Sequence, residues 1–295
     1  MKSLSSPLAP VVLTFCAAIL WGLWWIPVRT LEAGGMTGAQ AGIILNLGAA
    51  TAVGLIMLAF RHPLRIGPRA IAGGALVGVA LSTYSIAFAY SDVVRVILLF
   101  YLAPAWSKLI EWAFMGRPWN WSTTFTVGAS LGGAILILGG RLSVSEINLG
   151  DVLAIISGIA WAIGATFIFT GAKSTAISLT LVTLCMATLV AAGFALLVGE
   201  SPISSTGPGL QTAGLAMGAF YSLPVMFATL WSAQRLAPAL LSFLFTLEIC
   251  SGVLSGALLL DEPFGVIQLA GSVLIIGAAL SEVAFSLRER RKQTA

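Results

Sequence analysis

Two stretches of this sequence can be laid over each other without a gap: FYLAPAWSKLIEWAFMGRP at residues 100–118 and FTLEICSGVLSGALLLDEP at residues 245–263. A second pair of similar segments, AILWGLWW around Trp21 and SGIAWAIG around Trp161, follows in the same order. Residue 100 is 145 positions from residue 245, and Trp21 is 140 positions from Trp161. The chain is therefore predicted to consist of two similar halves, residues 1–146 and 147–295.

The composition places both halves in a membrane. Of the 295 residues, 58% are hydrophobic and 9% are charged, and the mean hydropathy is +1.00. Lipid offers no hydrogen bonds to the backbone, so apolar runs of about 20 residues cross it as helices. The basic residues are scattered and form no solvated basic domain, so no nucleic acid partner is expected.

Windows of about 19 residues divide the chain into ten predicted spans. They are residues 9–29, 38–60, 70–90, 93–115, 122–140, 149–170, 177–199, 209–231, 238–260 and 264–286. The predicted fold class is an all-α integral membrane protein with ten transmembrane helices. Because five is an odd number, the second half enters the membrane from the opposite side, and the two five-helix repeats are predicted to be inverted.

The loop charges predict the orientation of the chain. With a cytoplasmic N-terminus, eleven Lys and Arg residues fall on the cytoplasmic side and three on the other. The positive-inside rule therefore predicts that both termini are cytoplasmic, with a short basic tail. Lys2 precedes an apolar run as in a signal peptide, but the run reaches Val28 without a small-residue cleavage site, so it is expected to be the first helix.

The three cysteines, Cys16, Cys185 and Cys250, lie within apolar runs and lack metal-ligand spacing. They are expected to be buried, reduced packing residues. The sequence contains no H-E-x-x-H pair and no phosphate-binding loop, so no metal or cofactor is predicted.

Each repeat contains a stretch of one pattern: LAP at residues 102–104 to RP at 117–118, and LEI at 247–249 to DEP at 261–263. Together with the ten predicted helices, this pattern resembles the EamA-type members of the drug/metabolite transporter superfamily over nearly the whole chain. Within that superfamily the chain is most similar to YddG-type exporters of aromatic amino acids. Ile249 replaces the proline of the first repeat, so no proline kink is expected there.

The resemblance implies a secondary transporter that exports amino acids, aromatic ones and other neutral ones, across the cell inner membrane. Alternating access, as a facilitator or coupled to protons, is the implied mechanism. A functional monomer within the lipid bilayer is expected. The alternative in the same superfamily is an exporter of other small metabolites or drugs.

Two charged residues are predicted inside the membrane, where a charge is costly and usually functional. Glu248 lies in the middle of the ninth predicted helix, and Lys108 lies in the fourth, its counterpart in the first half. Such a pair can hold the ammonium and carboxylate of an amino acid. Alternatively, Lys108 neutralises Glu111 or Glu248, or extends towards the cytoplasmic end.

Aromatic residues on the helices that resemble cavity-lining helices of the family are candidates for substrate binding, since their rings can stack on an aromatic substrate. The alternative is packing or a place in the interfacial belts. Tyr101, Ala105 and Lys108 share one helix face. Trp21 and Trp161 are expected to face each other between the halves. The aromatic candidates are Trp21, Tyr84, Tyr101, Trp161 and Tyr221.

Three prolines lie inside predicted spans and interrupt backbone hydrogen bonding: Pro27, Pro104 and Pro224. Irregular backbone often lines cavities in membrane proteins, so a gating role is proposed for them, with a static kink as the alternative.

An intramembrane enzyme is the rival from another class of function. Residues 128–132, GASLG, match the G-x-S-x-G nucleophile pattern. That nucleophile needs a strand-to-helix turn and a histidine base, whereas Ser130 falls in an apolar helix and the single histidine, His62, falls in a loop. No catalytic residues are predicted, and the chain is not expected to be an enzyme.

Overall fold

A computed structural model of the chain describes residues 8–116, 118–137, 147–169, 173–236, 238–260 and 265–294. These residues are mostly helical. The helices are α1 (Leu8–Gly22), α2 (Trp25–Ala33), α3 (Gly38–Ala59), α4 (Pro68–Tyr90), α5 (Val93–Phe100), α6 (Ala103–Met115), α7 (Trp121–Ile137), α8 (Leu149–Phe169), α9 (Ala176–Leu197), α10 (Pro208–Met217), α11 (Leu223–Ala233), α12 (Pro238–Leu259) and α13 (Val266–Thr294). The predicted charged loop residues Lys2, Arg117, Arg141, Glu146, Asp261 and Glu262 lie outside the described residues.

Seven helical stretches among the described residues are long and apolar enough to cross a membrane. They coincide with seven predicted spans, in three cases over an interrupted pair of helices, and they confirm a multi-pass helical membrane protein. The other three predicted spans correspond to shorter apolar helices, Thr123–Leu136, Leu244–Leu259 and Val266–Ala278. The count of ten and the inverted repeat stay predictions.

Three of the long stretches are interrupted near their prolines. Two residues separate α1 from α2, two separate α5 from α6, and a π-helical turn, Gly218–Ser222, separates α10 from α11. Residues 23, 100 and 220, each four positions before Pro27, Pro104 or Pro224, lie at these interruptions. A proline ring collides with the carbonyl group four residues earlier, which explains the breaks. α12, which has Ile249 instead of a proline, is continuous, as expected.

The two halves pack closely on each other. α4 lies along α8 and α9, α3 along α9, α1 along α12, and α7 along α13. Glycines permit the closest crossings: a Cβ at Gly22 would lie 2.5 Å from the carbonyl oxygen of Glu248, and one at Gly158 would lie 2.7 Å from that of Phe100. Small residues of this kind let membrane helices approach to backbone contact.

The cysteines correct one expectation. Cys16, Cys185 and Cys250 are free thiols, but all three are exposed on the surface of the bundle rather than buried. The reason is that a bundle in lipid is apolar outside as well as inside. An apolar run therefore identifies a membrane helix without distinguishing its buried face from its lipid face.

Candidate functional site

A buried carboxylate lies where the two halves meet. Glu248, on α12 of the second half, is 4% exposed. The hydroxyl of Tyr84, on α4, donates a hydrogen bond of 2.9 Å to its Oε1. The hydroxyl of Tyr101 donates one of 3.0 Å to its Oε2. Each carboxylate oxygen thus accepts a hydrogen bond from a tyrosine of the first half, and both tyrosines are buried.

Tyr101 reaches Glu248 because the fourth span is interrupted at Tyr101. This residue directly follows α5, and one further residue, Leu102, separates it from α6. The single proton of the Tyr101 hydroxyl is shared between Glu248 Oε2 and the backbone oxygen of Phe245 on α12. The break near Pro104 therefore directs a tyrosine from the first half onto one turn of the second-half helix that carries the carboxylate.

An aromatic group stands beside Glu248. The ring of Phe100 lies 4.9 Å from that of Tyr84, 5.5 Å from that of Tyr101 and 6.3 Å from that of Trp161. These separations are typical of interacting aromatic pairs. Tyr84, Tyr101 and Trp161 were predicted as site residues, whereas Phe100 was not, although it aligns with Phe245 in the repeat.

A second aromatic group contains the two other predicted aromatic residues. Trp21 and Trp24 are 4.9 Å apart between ring centroids, and Trp24 and Tyr221 are 5.8 Å apart. The hydroxyl of Tyr221 donates to the backbone oxygen of Leu20 beside the α1 break. The described ring contacts of Trp21 and Trp161 lie in different groups, and that these two rings face each other between the halves stays a prediction.

The three tryptophans of the first span attach it to three other helices. Trp21 donates its indole N–H to Thr229 at 2.8 Å, and Trp24 donates to Ser85 at 2.8 Å. Trp25 donates to Ser255 at 3.0 Å. Sequence analysis missed these hydroxyl partners, and Ser and Thr within apolar helices were the available signal.

The remaining predicted residues lie around this centre. Lys108 is half-buried on α6, and its role at the site stays a prediction. Glu111, its alternative partner, lies outside the described side chains. Pro27 is buried, Pro104 is half-buried and Pro224 is exposed, each beside a helix interruption.

The arrangement suits binding of a small molecule with a positive group. A carboxylate takes an ammonium by a charge-assisted hydrogen bond, and aromatic faces attract a cation or stack on an aromatic body. The part of the chain that is described contains no group of three His, Cys, Asp or Glu side chains placed to hold a metal ion.

Residues 148–281 match the sequence model of the EamA-like transporter family. The match covers slightly less than half of the 295 residues. It includes α8 to α12 and therefore Glu248, whereas Tyr84 and Tyr101 precede it. This part of the chain is similar to a family of transporters, which agrees with a small-molecule transporter in a membrane.

The fold also occurs in a solved crystal structure of another protein. The two are 15% identical with a TM-score of 0.59, and the similarity covers 96% of this chain and 99% of the other. At that identity the likeness concerns the fold alone. No curated protein sequence matches the chain.

Proposed function

We propose that this EamA-like protein is a secondary transporter that exports amino acids, aromatic ones and other neutral ones, by alternating access. The observation that carries the proposal is the buried carboxylate of Glu248, which accepts hydrogen bonds from Tyr84 and Tyr101 of the other half. A carboxylate between two halves provides a ligand for an ammonium group at the surface along which the halves move.

The aromatic rings beside Glu248 support the proposal that the substrate has an aromatic side chain. Phe100 and Trp161 stand beside the two tyrosines, so an aromatic side chain has rings to stack on. Lys108, half-buried on the same span as Tyr101, is the proposed partner of the substrate carboxylate. Trp21 and Tyr221, with Trp24, form the opposite wall in this proposal.

The packing of the helices supports ten membrane spans in two inverted repeats. Exchanging the halves converts the contact of α1 with α12 into that of α8 with α5 and α6, and both contacts exist. The same exchange leaves the pairs α3 with α9 and α7 with α13 unchanged, and both of these exist as well. Such self-paired contacts are expected for two repeats related by a pseudo-two-fold axis.

The proposal includes a location and a mechanism. The chain resides in the cell inner membrane with both termini in the cytoplasm, following the distribution of Lys and Arg between the loops. It acts as a monomer and without catalysis. The breaks near Pro27, Pro104 and Pro224 are the hinges at which the halves move, since interrupted helices lack some backbone hydrogen bonds.

Counterflow in proteoliposomes tests this proposal. Vesicles preloaded with unlabelled phenylalanine, tryptophan or threonine should accumulate the labelled amino acid above empty liposomes. Glu248→Gln keeps the shape of the side chain but removes its charge, and it should lower the initial rate at least about tenfold, the effect of one charge-assisted hydrogen bond. Glu200→Gln, at the end of the bundle, is the matched control and should transport normally.

Two results would contradict the proposal in different ways. No flux of any of the three amino acids would reject the amino acid assignment and favour the export of other small metabolites or drugs. Unchanged flux in Glu248→Gln would reject Glu248 as a ligand. An imposed pH gradient that accelerates transport in the parent and not in Glu248→Gln would identify this carboxyl as a proton carrier, and no acceleration in either would identify a facilitator.

A further inference from the structure

A second carboxylate joins the two halves, far along the bundle from Glu248. Asp151, in the first turn of α8, is fully buried. It forms an ion pair with Arg95 on α5 of the first half. The Nε atom of Arg95 lies 3.1 Å from Oδ1, and its terminal nitrogen contacts Oδ2. This is the two-pronged geometry that makes Arg–carboxylate pairs strong.

Further donors complete the coordination of this carboxylate. Ser91, in the connection between α4 and α5, donates its hydroxyl to Oδ1 at 2.7 Å. The backbone N–H of Asn148 donates to Oδ2 at 3.1 Å, and the Asn148 side chain accepts from the backbone N–H of Asp151 at 2.9 Å. This reciprocal pair is a capping box, which holds Asp151 in position at the start of α8. Each carboxylate oxygen of Asp151 therefore accepts two hydrogen bonds.

The ion pair is linked to the Glu248 site through α5. Arg95 lies in the first turn of this helix, and Tyr101, which donates to Glu248, follows its last residue. Six residues of an α-helix cover about 9 Å. The helix is rigid and short, so a displacement of its Arg95 end also displaces the tyrosine at its other end.

α5 is enclosed on every side. Its residues Val93, Val94, Val96, Ile97, Leu98 and Leu99 are all buried, and α4, α8 and α12 surround it. After the break, α6 is more open, with Trp112 52% and Phe114 84% exposed. The structure thus packs α5 tightly between Glu248 and the predicted outer end of the bundle.

The repeat provides no counterpart of the ion pair at the other end. Position 240, which aligns with Arg95 at an offset of 145, is leucine, and position 11, which aligns with Asp151 at an offset of 140, is valine. The alignment thus gives an ion pair to one end of the site and two apolar residues to the other. Separating Arg95 from Asp151 would leave a charge in a fully buried position without its partner, which is costly.

From these observations we infer that Arg95 and Asp151 form a clasp that closes the predicted outer end of the substrate pathway. The ion pair must break each time the site opens to the outer side. It biases the equilibrium between the two open states towards the cytoplasmic one. This inference rests on the proposed transport function, since it assigns the clasp to one of the two gates of that site.

Thiol accessibility tests the clasp without any substrate. Cys16, Cys185 and Cys250 are first replaced by alanine, and Val94→Cys then places a reporter in buried α5, beside Arg95. A membrane-impermeant maleimide is added from the outer side of right-side-out vesicles. Labelling should be slow in this parent and at least about tenfold faster in Arg95→Gln, because the state open to the outside gains population.

Asp151→Asn is the second variant and should act in the same direction as Arg95→Gln. It removes the charge but keeps an acceptor oxygen for Asn148, so the start of α8 is preserved. Arg95→Lys retains the charge without the two-pronged contact and should be intermediate. Size-exclusion profiles and unfolding midpoints in detergent show whether each variant is folded.

Glu200→Gln is the matched control. It removes a charge from a half-buried side chain at the same predicted end of the bundle, but Glu200 follows α9 and belongs to neither α5 nor α8. Its labelling rate should equal that of the parent. Rates in Arg95→Gln and Asp151→Asn within twofold of the parent, or an equal rise in Glu200→Gln, would overturn the inference. Failure of amino acid transport leaves the labelling result unaffected, so the two proposals are tested separately.

Discussion

Gly22→Ala is expected to push apart the two helices that meet at the Glu248 site. A Cβ at this position would lie 2.5 Å from the carbonyl oxygen of Glu248 and 2.6 Å from the backbone nitrogen of Gly252, and it would also contact Ser251 Oγ. An ordinary contact of this kind needs about 3.4 Å, so α1 and α12 must separate by roughly 0.9 Å.

The size of the effect follows from this displacement. Backbone atoms cannot move away as the end of a flexible side chain can, and overpacking of a well-packed interior costs about 1–3 kcal/mol. For a chain of this size each kcal/mol lowers the unfolding midpoint by roughly 2–4 °C. A decrease of about 5 °C is expected, together with slower amino acid counterflow, because Glu248 moves away from Tyr84 and Tyr101.

The unfolding midpoint of the purified protein in detergent and the initial rate of counterflow measure the two effects. Gly54→Ala is the matched control: this glycine also lies within a long helix, α3, but a Cβ there would meet nothing within 4 Å. Alanine is the better helix former, so Gly54→Ala should keep or raise the midpoint. A Gly22→Ala protein with the midpoint and transport rate of the parent would refute the close crossing of α1 and α12.

Two further substitutions follow from the same contacts. Tyr84→Phe removes the hydroxyl that lies 2.9 Å from Glu248 Oε1. In a counterflow titration it should raise the half-saturating concentration of amino acid about three- to tenfold, which corresponds to the loss of one hydrogen bond. An unchanged half-saturating concentration would show that Tyr84 is not part of the site. Replacing exposed Cys16, Cys185 and Cys250 together by alanine should shift the unfolding midpoint by less than about 2 °C, as surface substitutions do, and a larger decrease would indicate that at least one thiol is packed.

Much of the fold could be predicted because it depends on consecutive residues. Apolar runs located the seven membrane-length helices, and the three prolines located the interruptions, since a proline acts on the carbonyl group four residues before it. The absence of a proline near Ile249 likewise agrees with a continuous α12. The burial of the cysteines was predicted wrongly, because hydropathy does not separate the lipid face of a helix from its packed face.

The candidate site was predictable in part. A carboxylate in the middle of an apolar helix is unusual enough to identify Glu248 as a candidate, and the tyrosines were candidates as aromatic residues on family-like helices. The hydrogen bonds that Glu248 accepts from Tyr84 and Tyr101 could not be predicted from the sequence, because they join helices of different halves. The roles of all these residues in binding stay predictions.

The sequence by itself determined that this protein is a helical membrane protein with broken helices, because hydropathy and proline act locally. Only the tertiary structure decided which distant groups meet. Tyr84 and Glu248 are 164 residues apart, Tyr101 and Glu248 are 147 apart, and Arg95 and Asp151 are 56 apart. Their pairing depends on which helices cross at glycines and at what depth, and these are properties of the packed bundle rather than of any segment of the chain.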